Sequence, residues 1–265
     1  MEYFKTCRGI PVYISDTKQG DKTVVLLHGY LETNEVWADF KELLKPHVRV
    51  IAIDLPGNGL SGTNPNENSM EFIADVVADV LNHSKIDKAT IVGHSMGGYV
   101  ALAFAEKYPE PTEKLCLFHS TPNPDTEEKK QNRNREIALI NEGKLELILQ
   151  INIANMFADE NLQRMEDVIV MITENAMISE PEGIVACLRG MKNRKNMNVF
   201  LSGFDKPLLW IFGKNDKYIP ETVAAGLIEK FPHAKTLILN KSGHAGFLEE
   251  PEISSQTLID FIKNG

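Results

Sequence analysis

ATIVGHSMGGYVALAFAEKY, residues 89–108, is the stretch on which the fold turns. Its first four residues, Ala89–Val92, form an apolar run of the kind that makes a strand buried on both faces. Its last ten, Tyr99–Tyr108, read as a helix stopped by Pro109. Between them lies Gly93-His94-Ser95-Met96-Gly97-Gly98, which fits G-x-S-x-G. Passing from strand to helix in so few residues strains the central backbone and leaves no room for bulk beside it, hence the flanking glycines. The Ser95 hydroxyl then stands above the end of the sheet, at a helix N-terminus whose free N–H groups favour negative charge. Ser95 is therefore the candidate nucleophile.

Working outward, Thr23–Leu27, Val48–Ile53, Leu115–Phe118, Pro207–Phe212 and Thr236–Leu239 repeat the buried-strand signal. Tyr3–Thr6 and Val12–Ser15 make an N-terminal hairpin with Gly9 in its turn. Helical periods fall between them. Met70–Leu81 sets apolar residues at 72, 73, 76, 77, 80 and 81 on one face, with Asn68 and Glu71 placed as a capping box. Thr222–Phe231 and Ile253–Ile262 supply the last two helices. Alternation of this kind predicts an α/β fold with a mostly parallel eight-stranded sheet flanked by helices. Residues 122–199 break the rhythm: the pattern is all helical, with Ser179 and Glu182 as a further capping box. They read as a helical cap, or lid, inserted between two strands of a core made of residues 1–121 and 200–265.

A serine hydroxyl needs a base within hydrogen-bond reach. Of the seven histidines, His244 in SGHAG (242–246) sits just past the last strand, at the same sheet edge as Ser95. His28 and His94 flank glycines and read as backbone braces; His47, His83 and His233 fall at element margins. His119 ends the strand before the insertion and is placed to line a substrate pocket floor. The base needs an orienting anion. Asp216 in GKND (213–216) follows a strand at the correct edge, and the order Ser, Asp, His suits this architecture. Asp54 is the rival, but it opens DLPGNG (54–59), which reads as a rigid turn. Two N–H groups are then expected to hold an oxyanion, those of Met96 and of Tyr30 in the loop after TVVLL. Tyr30 is also a candidate substrate contact.

Bulk properties exclude other classes. The chain has 265 residues, a formal charge of -9 and a pI near 5.3, with no basic stripe, so a nucleic-acid partner is not expected. No apolar run is long enough to span a bilayer, and the first residues lack the pattern of a cleaved signal, so no membrane role is expected. Cys7, Cys116 and Cys187 are far apart without a CxxC pair, which argues against a disulfide framework or structural zinc and for a reducing, cytoplasmic setting.

Five segments together, LLHGY (26–30), DLPGNGLS (54–61), VGHSMGGYVAL (92–102), GKND (213–216) and GHAGFLEEP (243–251), resemble the α/β-hydrolase family over nearly the whole chain. The likeness is nearest to small esterases, cofactor-free haloperoxidases and thioester or C–C hydrolases with a four-helix cap. Asn58 stands where many relatives carry His, within a structural turn. The resemblance implies a cofactor-free and metal-free enzyme with a small-molecule acyl substrate. Its catalytic residues would be Ser95, Asp216 and His244, working through an acyl-enzyme. A serine at the turn argues against the dehalogenase and epoxide-hydrolase branches, which use aspartate there.

Alternatives stay open at this level: cleavage of a C–C bond or a lyase step on the same fold, or a ligand-binding receptor that keeps the three residues but turns over little. The insertion carries no motif. Its six methionines (Met156, Met165, Met171, Met177, Met191, Met197) suit an adaptable apolar pocket or internal packing alike. Its five arginines (Arg133, Arg135, Arg164, Arg189, Arg194) suit a substrate carboxylate or plain solvation.

Overall fold

At Arg8 and Gly9 the backbone takes positive φ at both positions, 49° and 82°. That pair matches the natural twist of a two-residue hairpin turn, and it joins β1 (Glu2–Cys7) to β2 (Ile10–Asp16). The computed structural model describes residues 1–264, and six more strands complete one sheet: β3 (Thr23–Leu27), β4 (Arg49–Ile53), β5 (Ala89–His94), β6 (Thr112–Phe118), β7 (Leu208–Gly213) and β8 (Lys235–Leu239). Their order is β1-β2-β4-β3-β5-β6-β7-β8. β2 runs antiparallel to both its neighbours, and every other pairing is parallel. The expected eight-stranded, mostly parallel sheet is what forms. The five residues of β3 are all buried, as an uninterrupted apolar run requires.

Helices cover the sheet: α1 (Ala38–Leu44), α2 (Met70–His83), α3 (Met96–Lys107), then α4 (Glu127–Asn141), α5 (Leu145–Asn155), α6 (Glu166–Ala176), α7 (Pro181–Asn193) and α8 (Asn198–Ser202), and finally α9 (Glu221–Lys230), α10 (Gly246–Glu249) and α11 (Pro251–Asn264). The five helices α4–α8 all lie between β6 and β7, where the sequence places an all-helical insertion. Trp37, Phe40, Phe118 and Phe247 form one aromatic cluster of the core, with ring centroids 4.2–6.3 Å apart. Among the described residues no helix is long and apolar enough to cross a membrane.

Both expected capping boxes are corrected. Helix α2 is capped by Ser69, whose side chain accepts from Phe72 N. Asn68 is fully buried and spends its amide on Pro56 O and Thr63 Oγ1, 2.9 and 3.0 Å away, while its carbonyl accepts from Asn64 N. Helix α7 starts at Pro181 with no side-chain cap, because Ser179 Oγ accepts instead from Gly59 N at 2.8 Å. In each case a tertiary partner outbids the local one.

Candidate active site

The turn between β5 and α3 is tightly determined. Ser95 has φ 49° and ψ −112°, a backbone that L-residues adopt only under constraint. Its N–H donates to Phe118 O at 3.0 Å, and Ser120 Oγ donates to its carbonyl at 2.8 Å, tying the turn to β6. A Cβ on Gly93 would collide with the Gly97 carbonyl, and one on Gly97 with the Leu27 carbonyl, so both positions require glycine. The Ser95 side chain opens onto a cavity of about 270 Å³.

Asp216 and His244 come to the same edge from the ends of β7 and β8. His244 Nδ1 lies 2.8 Å from Asp216 Oδ2, while its Nε2 makes no hydrogen bond within the described residues and its ring lines the cavity with Ser95. Asp216 is fully satisfied. Oδ1 accepts from Tyr218 N and Ile219 N at 2.8 and 2.9 Å, and Oδ2 accepts from both His244 and His119. Burial would raise this carboxyl, but the flanking imidazoles and their hydrogen bonds hold it far below the usual carboxylate range. No hydrogen bond joins Ser95 Oγ to His244 Nε2 among the described residues; such contacts commonly close only once substrate is bound.

His119 is corrected from pocket floor to buried support. It is fully buried and does not line the cavity. Its Nε2 accepts from Gly246 N at 3.1 Å, and its Nδ1 lies 3.1 Å from Asp216 Oδ2 and 3.2 Å from Gly213 N, so both ring nitrogens are engaged within the core. Burial pushes its pKa down to about 4, so it is neutral there. His119, Asp216 and His244 have their nitrogen and oxygen atoms within 4.8 Å, close enough to suggest a metal site. The donor chemistry argues otherwise. One carboxylate oxygen is already engaged by both imidazoles and the other by two amides, and an amide N–H is aimed at each ring nitrogen of His119.

Asp54, the rival acid, braces a turn: it accepts from Asn34 N and Nδ2 at 2.7 Å and from Leu60 N at 2.9 Å. His28 braces too, its Nε2 accepting from Leu55 N at 2.9 Å. Tyr30 lines the cavity, and neither its N–H nor that of Met96 donates to a protein acceptor among the described residues.

Sequence reasoning overlooked Glu32. Its carboxylate accepts from His94 Nδ1 at 3.0 Å and from Gly29 N at 2.5 Å, while His94 Nε2 donates to the His244 carbonyl at 2.7 Å. His94 thus donates from both nitrogens, as an imidazolium does. Burial alone would lower its pKa, yet the buried Glu32 carboxylate raises it; Glu32 in turn is held below its ordinary value, against its own burial, mainly by His94. Glu32 Oε1 remains buried without a partner. Only the three-residue spacing from Gly29 hinted at this contact.

A sequence profile described as alpha/beta hydrolase fold matches residues 22–138. A 2-hydroxy-6-oxononadienedioate/2-hydroxy-6-oxononatrienedioate hydrolase from Cupriavidus pinatubonensis is 30% identical over 274 residues, spanning 96% of this chain and 91% of that protein. A pimeloyl-(acyl-carrier protein) methyl ester esterase from Yersinia enterocolitica is 28% identical, spanning 92% and 95%. Among solved structures, a malate-bound thermophilic esterase from Thermogutta terrifontis superposes with a TM-score of 0.93 at 28% identity, over 99% of this chain and 98% of that one. The strained serine turn, the strand order and likeness along both full lengths lead to one conclusion: the chain belongs to the α/β-hydrolase fold family and is a hydrolase.

Proposed function

We propose that this hydrolase cleaves small carboxylic esters or thioesters through an acyl-enzyme on Ser95. Ser95 Oγ attacks the acyl carbon as His244 Nε2 takes its proton. Asp216, bonded to Nδ1, keeps the imidazole in the tautomer that leaves Nε2 free to accept. The Tyr30 and Met96 N–H groups hold the oxyanion, each worth about 3 kcal/mol of transition-state stabilisation. His244 then returns the proton to the departing alcohol or thiol, and a water activated by the same nitrogen releases the acid. Residues 122–199 act as the cap over the cavity and set its selectivity. The three free, buried thiols suit action in the cytoplasm.

The observation that carries this reading is the 2.8 Å Asp216–His244 contact with Nε2 left open on the cavity that Ser95 lines. A fluorophosphonate probe tests it. Wild type should label stoichiometrically and Ser95→Ala not at all; equal labelling of the two would refute the assignment.

A second reading has its own support. The Cupriavidus relative acts on a hydroxy-oxo-dioate. Such a compound carries no ester, so its hydrolysis has to break a C–C bond beside the ketone. The same serine, base and N–H pair would serve there. Parallel assays of a p-nitrophenyl ester and a vinylogous 1,5-diketo acid, each with the Ser95→Ala control, separate the two.

A further inference from the structure

Helix α4 is an oddly polar wall for a substrate cavity. Its sequence, EEKKQNRNREIALIN, buries only Ile140. Lys129, Asn132, Arg133 and Glu136 nevertheless all line the cavity, at the i, i+3, i+4 and i+7 spacing of one helical face. The rest of the lining is mixed: Leu31, Ile153, Met156, Met191 and Ile219 are apolar, while Glu32, Thr121, Asn152 and Lys217 are polar or charged. The polar face of α4 thus shares one lining with Ser95 and His244.

The cations on the polar wall are not spent. Asp125, fully buried, binds the Arg133 guanidinium through Nε and Nη2 and leaves Nη1 without an acceptor among the described residues. The same carboxylate accepts from Arg194 Nη1 at 2.6 Å, so two guanidinium groups share one negative charge. Arg194 is used up otherwise: it bonds the Asn123 and Met191 carbonyls and lies 3.9 Å over the Tyr99 ring. The surplus charge thus falls to Arg133, locked in place and facing the cavity. One turn earlier Lys129 is exposed at the cavity, with no ion pair or side-chain hydrogen bond to its Nζ among the described residues. Lys217, on the same lining, is paired with Asp159. Glu136 is the opposing charge. It accepts from Tyr30 Oη at 3.2 Å, and burial pushes its carboxyl up despite the pull of Arg133, which weakens its hold on either cation.

The geometry points to a carboxylate subsite formed by Arg133 Nη1 and Lys129 Nζ, so that the preferred substrate is an acyl compound carrying a free carboxylate at the end remote from the scissile carbonyl. This rests on the reading of Ser95 as nucleophile and specifies what that site takes. A planar monoanion matches a guanidinium edge; a phosphate dianion would meet Glu136 with twice the repulsion. The other four arginines of the insertion have no such opening, since only Arg133 among them lines the cavity.

The test compares the p-nitrophenyl half-ester of a linear dicarboxylic acid with the p-nitrophenyl ester of the monocarboxylic acid of equal chain length, across a series of lengths. Wild type should favour the acid-tailed ester by about tenfold in kcat/KM at its best length, the worth of one charge-assisted hydrogen bond. Lys129→Glu, at an exposed position where folding is not at stake, should erase or invert that ratio, and Arg133→Gln should bring it to parity through KM. Lys130→Gln, which breaks only the outward Lys130–Glu127 pair, should leave the ratio as it is. Equal or better turnover of the neutral ester by wild type overturns the subsite, as does a preference that survives Lys129→Glu. A preference for a phosphate-tailed ester over the acid-tailed one overturns the choice of carboxylate. Failure of the nucleophile reads differently: neither ester is cleaved and Ser95 takes no fluorophosphonate.

Discussion

Asp216 sits between two imidazoles, yet only one of them has a nitrogen left for chemistry. His119 is kept neutral by burial, and its two nitrogens are taken up by Asp216 and by the Gly246 and Gly213 amides; His244 keeps Nε2 open to the cavity. Asp216→Asn would replace the acceptor at Oδ2 with a group that can be a donor, and His244 would then present N–H rather than a lone pair to Ser95. Ester turnover should fall by about four orders of magnitude, with circular dichroism unchanged; turnover within tenfold of wild type would move the acid elsewhere. The Glu32–His94 pair supports a second prediction. Removing one member of a buried ion pair strands the other, so Glu32→Gln should cost about 3–5 kcal/mol. Its pH dependence has a definite sign. The Glu32 carboxyl is depressed, so its contribution is present above the ordinary carboxyl value of 4.5 and is lost as pH falls through the folded value. The His94 imidazole is raised, so its contribution is full below 6.5 and is lost as pH rises through the folded value. Urea titrations of wild type and variant should therefore differ most between those two limits and converge on both sides; a gap constant with pH would mean that the pair is not ionised. None of this was legible in the sequence beyond Ser95, Asp216 and His244. Those three are announced by strand ends and glycines, which are local, whereas Glu32, His94 and His119 act through partners 62, 150 and 97 residues away.

At the scale of elements, hydrophobic period fixed where helices and strands lie, and tertiary contacts decided how they end. α1 and α10 are too short to show a period, and neither is evident in the sequence. Asn68 and Ser69 are both good cap residues, and nothing local chooses between them. Packing chooses: Gly57 and Gly190 lack the Cβ atoms that would strike Asn68, so its side chain settles in the Pro56–Thr63 turn and Ser69 is left to meet Phe72 N. The two positions should respond differently. Ser69→Ala removes a cap and should cost about 1 kcal/mol. Asn68→Ala strands several buried polar groups at about 1–3 kcal/mol each and should cost more. Denaturant midpoints of the two variants check the order, and a larger loss at Ser69 would return the cap role to Asn68. Residues 122–199 were legible as helices but not as a surface. Of its methionines, Met156 and Met191 reach the cavity, Met165 and Met197 are buried away from it, and Met177 is exposed. Helical period cannot sort these, because each side of an inserted helix bundle faces something different.

Across the whole molecule, the carboxyl ends of β5, β7 and β8 gather Ser95, Asp216 and His244 at one edge, the place where open α/β sheets bind ligands. The helical segment between β6 and β7 is fastened to that edge at His244. His244 N donates to Met156 O at 2.6 Å, and Glu249 accepts from Ala158 N, Asn161 Nδ2 and Gly243 N at 2.7–2.8 Å. One buried carboxylate thus holds Gly243, just before His244, and the loop after α5 together, so the position of the wall and the position of the imidazole are not independent. Glu249→Leu would keep the volume but leave those N–H groups buried without acceptors, at about 1–3 kcal/mol each. The strain is relieved by letting the loop of residues 156–161 swing away, which draws on His244 through its backbone. The expected result is a paired change: faster proteolysis within residues 156–165 and a fall in kcat for short esters, with Ser95 still reactive toward a fluorophosphonate. Faster proteolysis with kcat intact would show that His244 is held by Asp216 and His94 alone and that the wall moves without it.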